Sequence, residues 1–182
     1  MELTNQQTLP VGQAQAWEAL NDIELLKQAI PGCEGITPTG ENVYEVLVTA
    51  AIGPVKAKFK GKLQLENIQA PTSYTIRFEG QGGAAGHGKG HADIRLESTG
   101  ARTTVLHYTA HATVGGKIAQ IGSRLVDMAA QKMATEFFET FNTKLQERYQ
   151  VAPETEVVVV APAASGGLFG KLLAWLKKLF GG

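Results

Sequence analysis

The sequence is short of several features that would point to particular protein classes. Cys33 is the only cysteine in 182 residues, which excludes an intrachain disulfide framework and is consistent with a reducing compartment. Basic and acidic residues are equal, 17 of each, so a formal net charge of zero argues against nucleic acid as the main partner. We find no secretory signal at the N-terminus and no apolar run that could span a bilayer. We therefore expect a cytoplasmic protein.

Patterns that indicate catalysis or metal binding are also lacking. The segment 80–90 is rich in glycine, but it has no Gly-Lys-Ser/Thr ending and lies between predicted strands, which favours bulged strands over a phosphate loop. His87, His91, His107 and His111 form i, i+4 pairs that share a face of a strand. No cysteine or carboxylate cluster accompanies them, so solvent-facing histidines explain the pattern and no metal site is predicted. The single cysteine has no identifiable base. We expect no catalytic residues and no enzyme activity.

What the sequence does contain is a long stretch with the two-residue period of half-buried strands. The clearest example runs from Val55 to Ile68, where small or apolar residues alternate with lysines and other polar residues. The predicted strands are 2–8, 42–51, 55–68, 74–79, 86–97 and 102–114. Two short helices, 11–20 and 23–30, follow the first strand and end at Pro31-Gly32.

A single long helix is predicted to follow the strands. Residues 117–149 contain no proline and only Gly122 as glycine, and their apolar residues recur every three or four positions. A helix of about 30 residues is roughly 45 Å long and can cross an entire sheet. The order of elements predicts an α+β fold in which a curved antiparallel sheet surrounds the long helix. Because one helix cannot fill such a sheet, an apolar cavity is expected between them.

Four lysines of the most regular strand, Lys56, Lys58, Lys60 and Lys62, are predicted to share one face. One interpretation is a solvated face that prevents edge aggregation. The other is a contact surface for an acidic partner or a membrane. The sequence leaves both open.

The C-terminal segment has the pattern of a membrane-surface helix. On a helical wheel its apolar residues share one arc and its lysines lie opposite. The segment is too short to span a bilayer, so we expect it to lie in the interface, with its lysines near anionic headgroups. Packing on its own domain or on a partner groove is the alternative. The predicted membrane-binding residues are Leu168, Phe169, Lys171, Leu172, Trp175, Leu176, Lys177, Lys178, Leu179 and Phe180.

Several segments together resemble the CoxG family, the G-type accessory proteins of carbon monoxide dehydrogenase, within the START-like (SRPBCC) helix-grip superfamily. They are Ala29–Glu34, Gly53–Gly61, Gly80–Gly90 and Gly115–Leu125. The resemblance spans residues 1 to about 148 and implies a helix-grip fold. It also implies an accessory protein of a carbon monoxide dehydrogenase-type molybdenum enzyme, peripheral on the inner face of the cell membrane, that holds a hydrophobic small molecule under the long helix.

These inferences define three regions and one leading ligand. Residues 1–149 are the predicted helix-grip domain, 150–167 a flexible tether and 168–182 the amphipathic membrane-binding helix. An isoprenoid quinone is the leading ligand, because such a dehydrogenase must pass electrons to a quinone whose tail stays in the bilayer; no covalent cofactor is expected. A docking adaptor without ligand and a cyclase- or dehydratase-like enzyme are the alternatives. The predicted ligand-binding residues are Phe59, Leu63, Ile121, Leu125, Met128 and Met133.

Overall fold

A computed structural model describes residues 1–150 of the chain. The predicted tether beyond Gln150 and the predicted membrane-binding helix at 168–182 lie outside the described residues. No helix within 1–150 is long and apolar enough to cross a bilayer.

Seven strands and four helices make up the described part of the chain. The strands are β1 (Glu2–Leu9), β2 (Cys33–Gly40), β3 (Val43–Ile52), β4 (Val55–Gln69), β5 (Ser73–Gln81), β6 (His87–Gly100) and β7 (Thr103–Gly115). The helices are α1 (Gln13–Leu20), α2 (Ile23–Ala29), α3 (Lys117–Gln120) and α4 (Ser123–Tyr149).

The strands form one antiparallel sheet in the order β1-β7-β6-β5-β4-β3-β2. Neighbours in the sheet are hairpin partners, except that β1 pairs with β7, with Glu2 opposite His111 and Leu9 opposite Thr104. Pro10 follows β1 at the edge of the sheet, where a missing N–H breaks no ladder. The predicted α+β architecture, a curved antiparallel sheet with a long C-terminal helix and two short helices after the first strand, is confirmed.

The best-packed part of the core lies under the C-terminal half of α4. Phe138, Phe141 and Leu145 of that helix are buried against α1, α2 and strands β1, β6 and β7. Leu9 and Val11 are fully buried in the same cluster. The N-terminal half of α4 contributes much less, since Val126 is its one buried residue.

Two local features differ from the sequence-based expectation. The chain forms an additional strand, β2, whose Pro38 and two register shifts against β3 obscure its alternation. The long helix is interrupted, because Gly122 has φ of +95°, a conformation that an α-helix does not contain. The predicted helix over 117–149 is therefore a short α3 followed by α4.

Candidate ligand-binding cavity

A cavity of about 250 Å³ lies between the inner face of the sheet and the helices. The sheet supplies its floor because side chains of even and odd positions point to opposite faces. Leu63 and Leu65 of β4 and Ile76 of β5 point inward, while Lys62 and Gln64 are exposed on the outer face. The cavity is lined by Leu20, Asn21, Ile23, Leu26, Ile30, Ile36, Tyr44, Leu63, Leu65, Tyr74, Ile76, Ile94, Leu106, Phe137 and Phe138.

Aromatic rings of α4 form the roof. Phe137 and Phe138 lie edge to face, with 5.0 Å between ring centroids. Phe138 in turn stacks on Tyr108 of β7 at 5.4 Å, and Phe137 stacks on Phe141 at the same distance. Because aromatic pairs add to the energy of area burial, this group fixes the height of α4 above the sheet.

The polar groups in the lining are few and neutral. They are Asn21, Tyr44 and Tyr74. The Asn21 amide donates to the carbonyl oxygen of Trp17 at 2.8 Å, and the Trp17 ring packs edge to face on Tyr74 at 5.4 Å. Burial raises the pKa of Tyr74 far above that of an exposed tyrosine, so its hydroxyl remains a hydrogen-bond donor at neutral pH.

Helix α2, which forms one wall of the cavity, is fixed at its N-terminus by Asp22. This carboxylate accepts hydrogen bonds from the backbone N–H groups of Glu24 (2.9 Å) and Leu25 (3.2 Å), as an N-cap residue does. Arg148 of α4 donates to the same side chain at 2.6 Å. The N–H of Leu25 and the Arg148 guanidinium together lower the pKa of Asp22.

The six predicted ligand-binding residues occupy different places. Leu63 lines the cavity. The Phe59 ring packs against Gly82, where an added Cβ would lie 2.3 Å from it. Ile121 and Leu125 approach Gly53 in the β3–β4 turn, and Met133 is half-buried on α4. Leu125 and Met128 are 40% and 56% exposed, so they do not form part of the cavity lining.

Residues of α1 and α2 that sequence reasoning missed form a large part of the lining. Ile23, Leu26 and Ile30 recur at the three- and four-residue steps of one helix face. That spacing is a usable signal for an apolar face on α2. It does not reveal that the face looks into a cavity, since a solid core requires the same pattern.

The four histidines of the chain lie on the outer face of β6 and β7. His91 and His111 are directly paired across the two strands, with ring centroids 5.1 Å apart, and His107 contacts Glu97 at 2.9 Å. Over residues 1–150, His, Cys, Asp and Glu form no group of three or more that could hold a metal ion. The Cys33 thiol lies 3.7 Å from the Gly35 carbonyl oxygen, and burial raises its pKa.

The lysines of β4 are exposed on the same outer face, and two have carboxylate partners. Lys58 contacts Glu34 at 2.9 Å, and Lys60 contacts Glu45 at 3.2 Å. Both pairs are solvent-exposed, so each contributes little to stability.

Comparison with known proteins places the chain in a family. Residues 7–146 match the CoxG family, which is described as the G-type subunit of carbon monoxide dehydrogenase. The chain belongs to the CoxG family. A search of curated protein sequences found no match.

Solved structures share this CoxG-family fold. A conserved protein from Geobacillus kaustophilus is 27% identical, with a TM-score of 0.77 over 81% of this chain and 96% of that one. A START superfamily protein from Mycobacterium smegmatis is 12% identical, with a TM-score of 0.63 over 81% and 98% of the two chains. The Zhui aromatase/cyclase from Streptomyces sp. R1128 is 13% identical, with a TM-score of 0.61 over 82% and 95%. The last two likenesses show the START-like fold alone.

Proposed function

We propose that this protein is a non-catalytic, membrane-associated accessory protein of a molybdenum hydroxylase of the carbon monoxide dehydrogenase type, and that it binds an isoprenoid quinone. The apolar cavity beneath α4 is the observation that carries the ligand proposal. Membership in the CoxG family supports the partner. The amphipathic pattern of residues 168–180 supports attachment to the inner face of the cell membrane.

The chemistry of the lining fits a neutral, largely apolar molecule. Aliphatic and aromatic side chains replace the lipid that surrounds a quinone in the bilayer, so little free energy is lost when the molecule leaves the membrane. A quinone ring carries two carbonyl oxygens that accept hydrogen bonds. The protonated Tyr74 hydroxyl and the Tyr44 hydroxyl supply donors without introducing a charge.

The size of the cavity limits how much of the molecule it encloses. A volume of about 250 Å³ exceeds the roughly 150 Å³ of an apolar cavity that binds benzene. It is below the roughly 300–1,000 Å³ of pockets that enclose a complete drug-sized ligand. We therefore propose that the cavity takes the quinone ring and the first part of its tail, while the rest of the tail extends outside.

The related aromatase/cyclase makes catalysis the second candidate. Cyclase chemistry needs a general acid or base within hydrogen-bond reach of the substrate. The residues that line the cavity include no histidine, cysteine, lysine, aspartate or glutamate. This composition favours binding over catalysis.

Copurification tests the proposal. The full-length protein, expressed in a quinone-producing host, is purified and extracted with organic solvent, and the extract is analysed by mass spectrometry. We expect stoichiometric quinone in the intact protein, loss in Leu63→Phe, which places a larger ring in the cavity, and retention in Gln64→Phe, the adjacent residue on the outer face. Quinone-free protein that still retains the dehydrogenase in a pull-down would leave a docking adaptor and remove the carrier.

A further inference from the structure

Three connections meet at one end of the sheet, which we call the glycine-rich end. They are the β3–β4 turn at 53–54, the β5–β6 connection at 82–86 and the segment from Gly115 to Leu125 that leads into α4. A Cβ added at Gly53 would lie 3.5 Å from the Cδ1 atoms of both Ile121 and Leu125. The first and third connections are therefore in contact.

The second connection joins the same group through glycine backbones. A Cβ added at Gly116 would lie 2.6 Å from the Cα atom of Gly86, and one added at Gly82 would lie 2.3 Å from the ring of Phe59 on β4. Side chains are small at these contacts, so the backbone itself forms much of the surface. A flat or charged layer can approach such a surface closely.

The charge at this end has one sign. The chain contains no Asp or Glu at 46–65, 80–92 or 98–126, and these ranges include all three connections. The nearest carboxylate along α4 is Asp127, whose Oδ1 atom is buried.

Three exposed cations project from the connections. They are Lys56 beside the β3–β4 turn, Lys117 at the start of α3 and Arg124 at the start of α4. None of the three forms a salt bridge with another residue of 1–150, whereas Lys58 and Lys60 further along β4 do. The charge at this end is thus left uncompensated by the described domain.

Two apolar side chains lie exposed beside these cations. Leu125 is 40% and Met128 is 56% exposed on the first turns of α4. Of the four large hydrophobic residues that are this exposed in the described part of the chain, these two are the ones on a helix.

We propose that the glycine-rich end binds the surface of an anionic lipid bilayer. Lys56, Lys117 and Arg124 contact phosphate-bearing headgroups, and Leu125 and Met128 enter the headgroup–acyl boundary. The combination of cations with exposed aliphatic side chains favours a lipid surface over an acidic protein surface, which charge alone would satisfy. The inference rests on the membrane association proposed above, and it adds a second contact that is made by the folded domain.

Binding to vesicles in a background without the C-terminal contact tests the inference. Full-length protein carrying Trp175→Asp and Phe180→Asp is sedimented with phosphatidylglycerol-containing and with pure phosphatidylcholine vesicles at low ionic strength. We expect residual binding to the anionic vesicles only. The added changes Lys56→Glu, Lys117→Glu and Arg124→Glu should weaken it at least about tenfold, since each cation near an anionic surface contributes about fivefold.

A matched control separates this surface from general electrostatics. Arg102 is an exposed cation in the β6–β7 turn at the opposite end of the sheet. Arg124→Glu should weaken binding severalfold, while Arg102→Glu should leave it unchanged. Equal effects would overturn the inference, and so would full binding by the triple-charge variant, which would leave the end to an acidic protein.

Site-specific labelling gives a second readout. With Cys33→Ser, a polarity-sensitive fluorophore is attached at Ala84→Cys in the glycine-rich end or at Ala101→Cys in the opposite turn, both exposed positions. On anionic vesicles we expect a blue shift at residue 84 and none at 101. If the intact protein binds vesicles but residue 84 shows no shift, the membrane association stands and this inference fails.

Discussion

Arg148 in the last turn of α4 donates a 2.6 Å hydrogen bond to Asp22, the N-cap residue of α2, across 126 positions of the chain. A second nitrogen of the same guanidinium contacts Glu18 of α1 at 3.2 Å. One residue therefore ties the long helix to the two short helices that wall the cavity. Because α2 supplies Ile23, Leu26 and Ile30 to the lining, this contact sets the width of the cavity.

Replacing Asp22 tests the contributions of the cap and the ion pair. Asp22→Ala removes both and should lower the free energy of unfolding by about 1–2 kcal/mol. Asp22→Asn keeps a side chain that caps well, so it should cost about 1 kcal/mol or less, the value of an exposed ion pair. Urea unfolding at pH 7 measures both variants, and an equal loss would show that the cap contributes nothing.

The same carboxylate makes a pH-dependent contribution to stability. The folded protein holds the pKa of Asp22 below its usual value, which is about 3.9. The contribution is thus fully present above about pH 4 and is lost as the pH falls through the folded-state pKa. We expect the difference in stability between the wild-type protein and Asp22→Asn to shrink between pH 5 and pH 2; a constant difference would contradict this assignment.

The two halves of α4 should respond very differently to truncation. Phe141 is fully buried, so Phe141→Ala should lower the free energy of unfolding by about 3–5 kcal/mol. Met128 is 56% exposed, so Met128→Ala should change it by less than about 0.5 kcal/mol. Denaturant unfolding checks both, and a large loss for Met128→Ala would mean that the N-terminal half of α4 packs on the sheet.

Gly86 is required by its backbone conformation and by its neighbour. Its φ of +118° is one that residues with a Cβ rarely adopt, and an added Cβ would lie 2.1 Å from the Gly115 carbonyl oxygen. Gly86→Ala should therefore destabilise the protein by more than about 1 kcal/mol. Gly80→Ala is the control, since no atom lies within 4 Å of its added Cβ; equal melting temperatures for the two variants would contradict the structure.

The C-terminal segment should determine most of the membrane affinity. Deleting 166–182 removes its apolar face and its lysines but no part of the described domain, whose last helix ends at Tyr149. We expect an unchanged unfolding transition and a large loss of sedimentation with anionic vesicles. Trp175→Asp with Phe180→Asp should have a similar effect, and undiminished binding by the deleted protein would rule out the anchor.

The sheet was predictable because its faces differ strongly in polarity. From Val55 to Glu66 each lysine or other polar residue is followed by an apolar or small one, and in the structure Lys56, Lys58 and Lys60 are exposed while Phe59 and Leu63 are half-buried. Strand β2 was not delineated, because Pro38 and its two register shifts break that alternation.

The position of the cavity was less predictable than its existence. The sequence favoured Ile121, Leu125, Met128 and Met133 on the long helix, whereas Phe137 and Phe138 form the roof. A helical period identifies which face is apolar but carries no information about where along the helix the sheet encloses space. That depends on the curvature of the sheet and on the docking of α2, both of which are non-local.

The central claim, that the cavity accepts a quinone, is tested most directly by Trp17 fluorescence. The chain has two tryptophans, so Trp175→Phe leaves Trp17, which packs on the cavity residue Tyr74, as the sole reporter. Titration with a short-chain isoprenoid quinone should give saturable quenching that is lost in Leu63→Phe and kept in Gln64→Phe. Quenching that never saturates, or that is the same in both variants, would contradict the account.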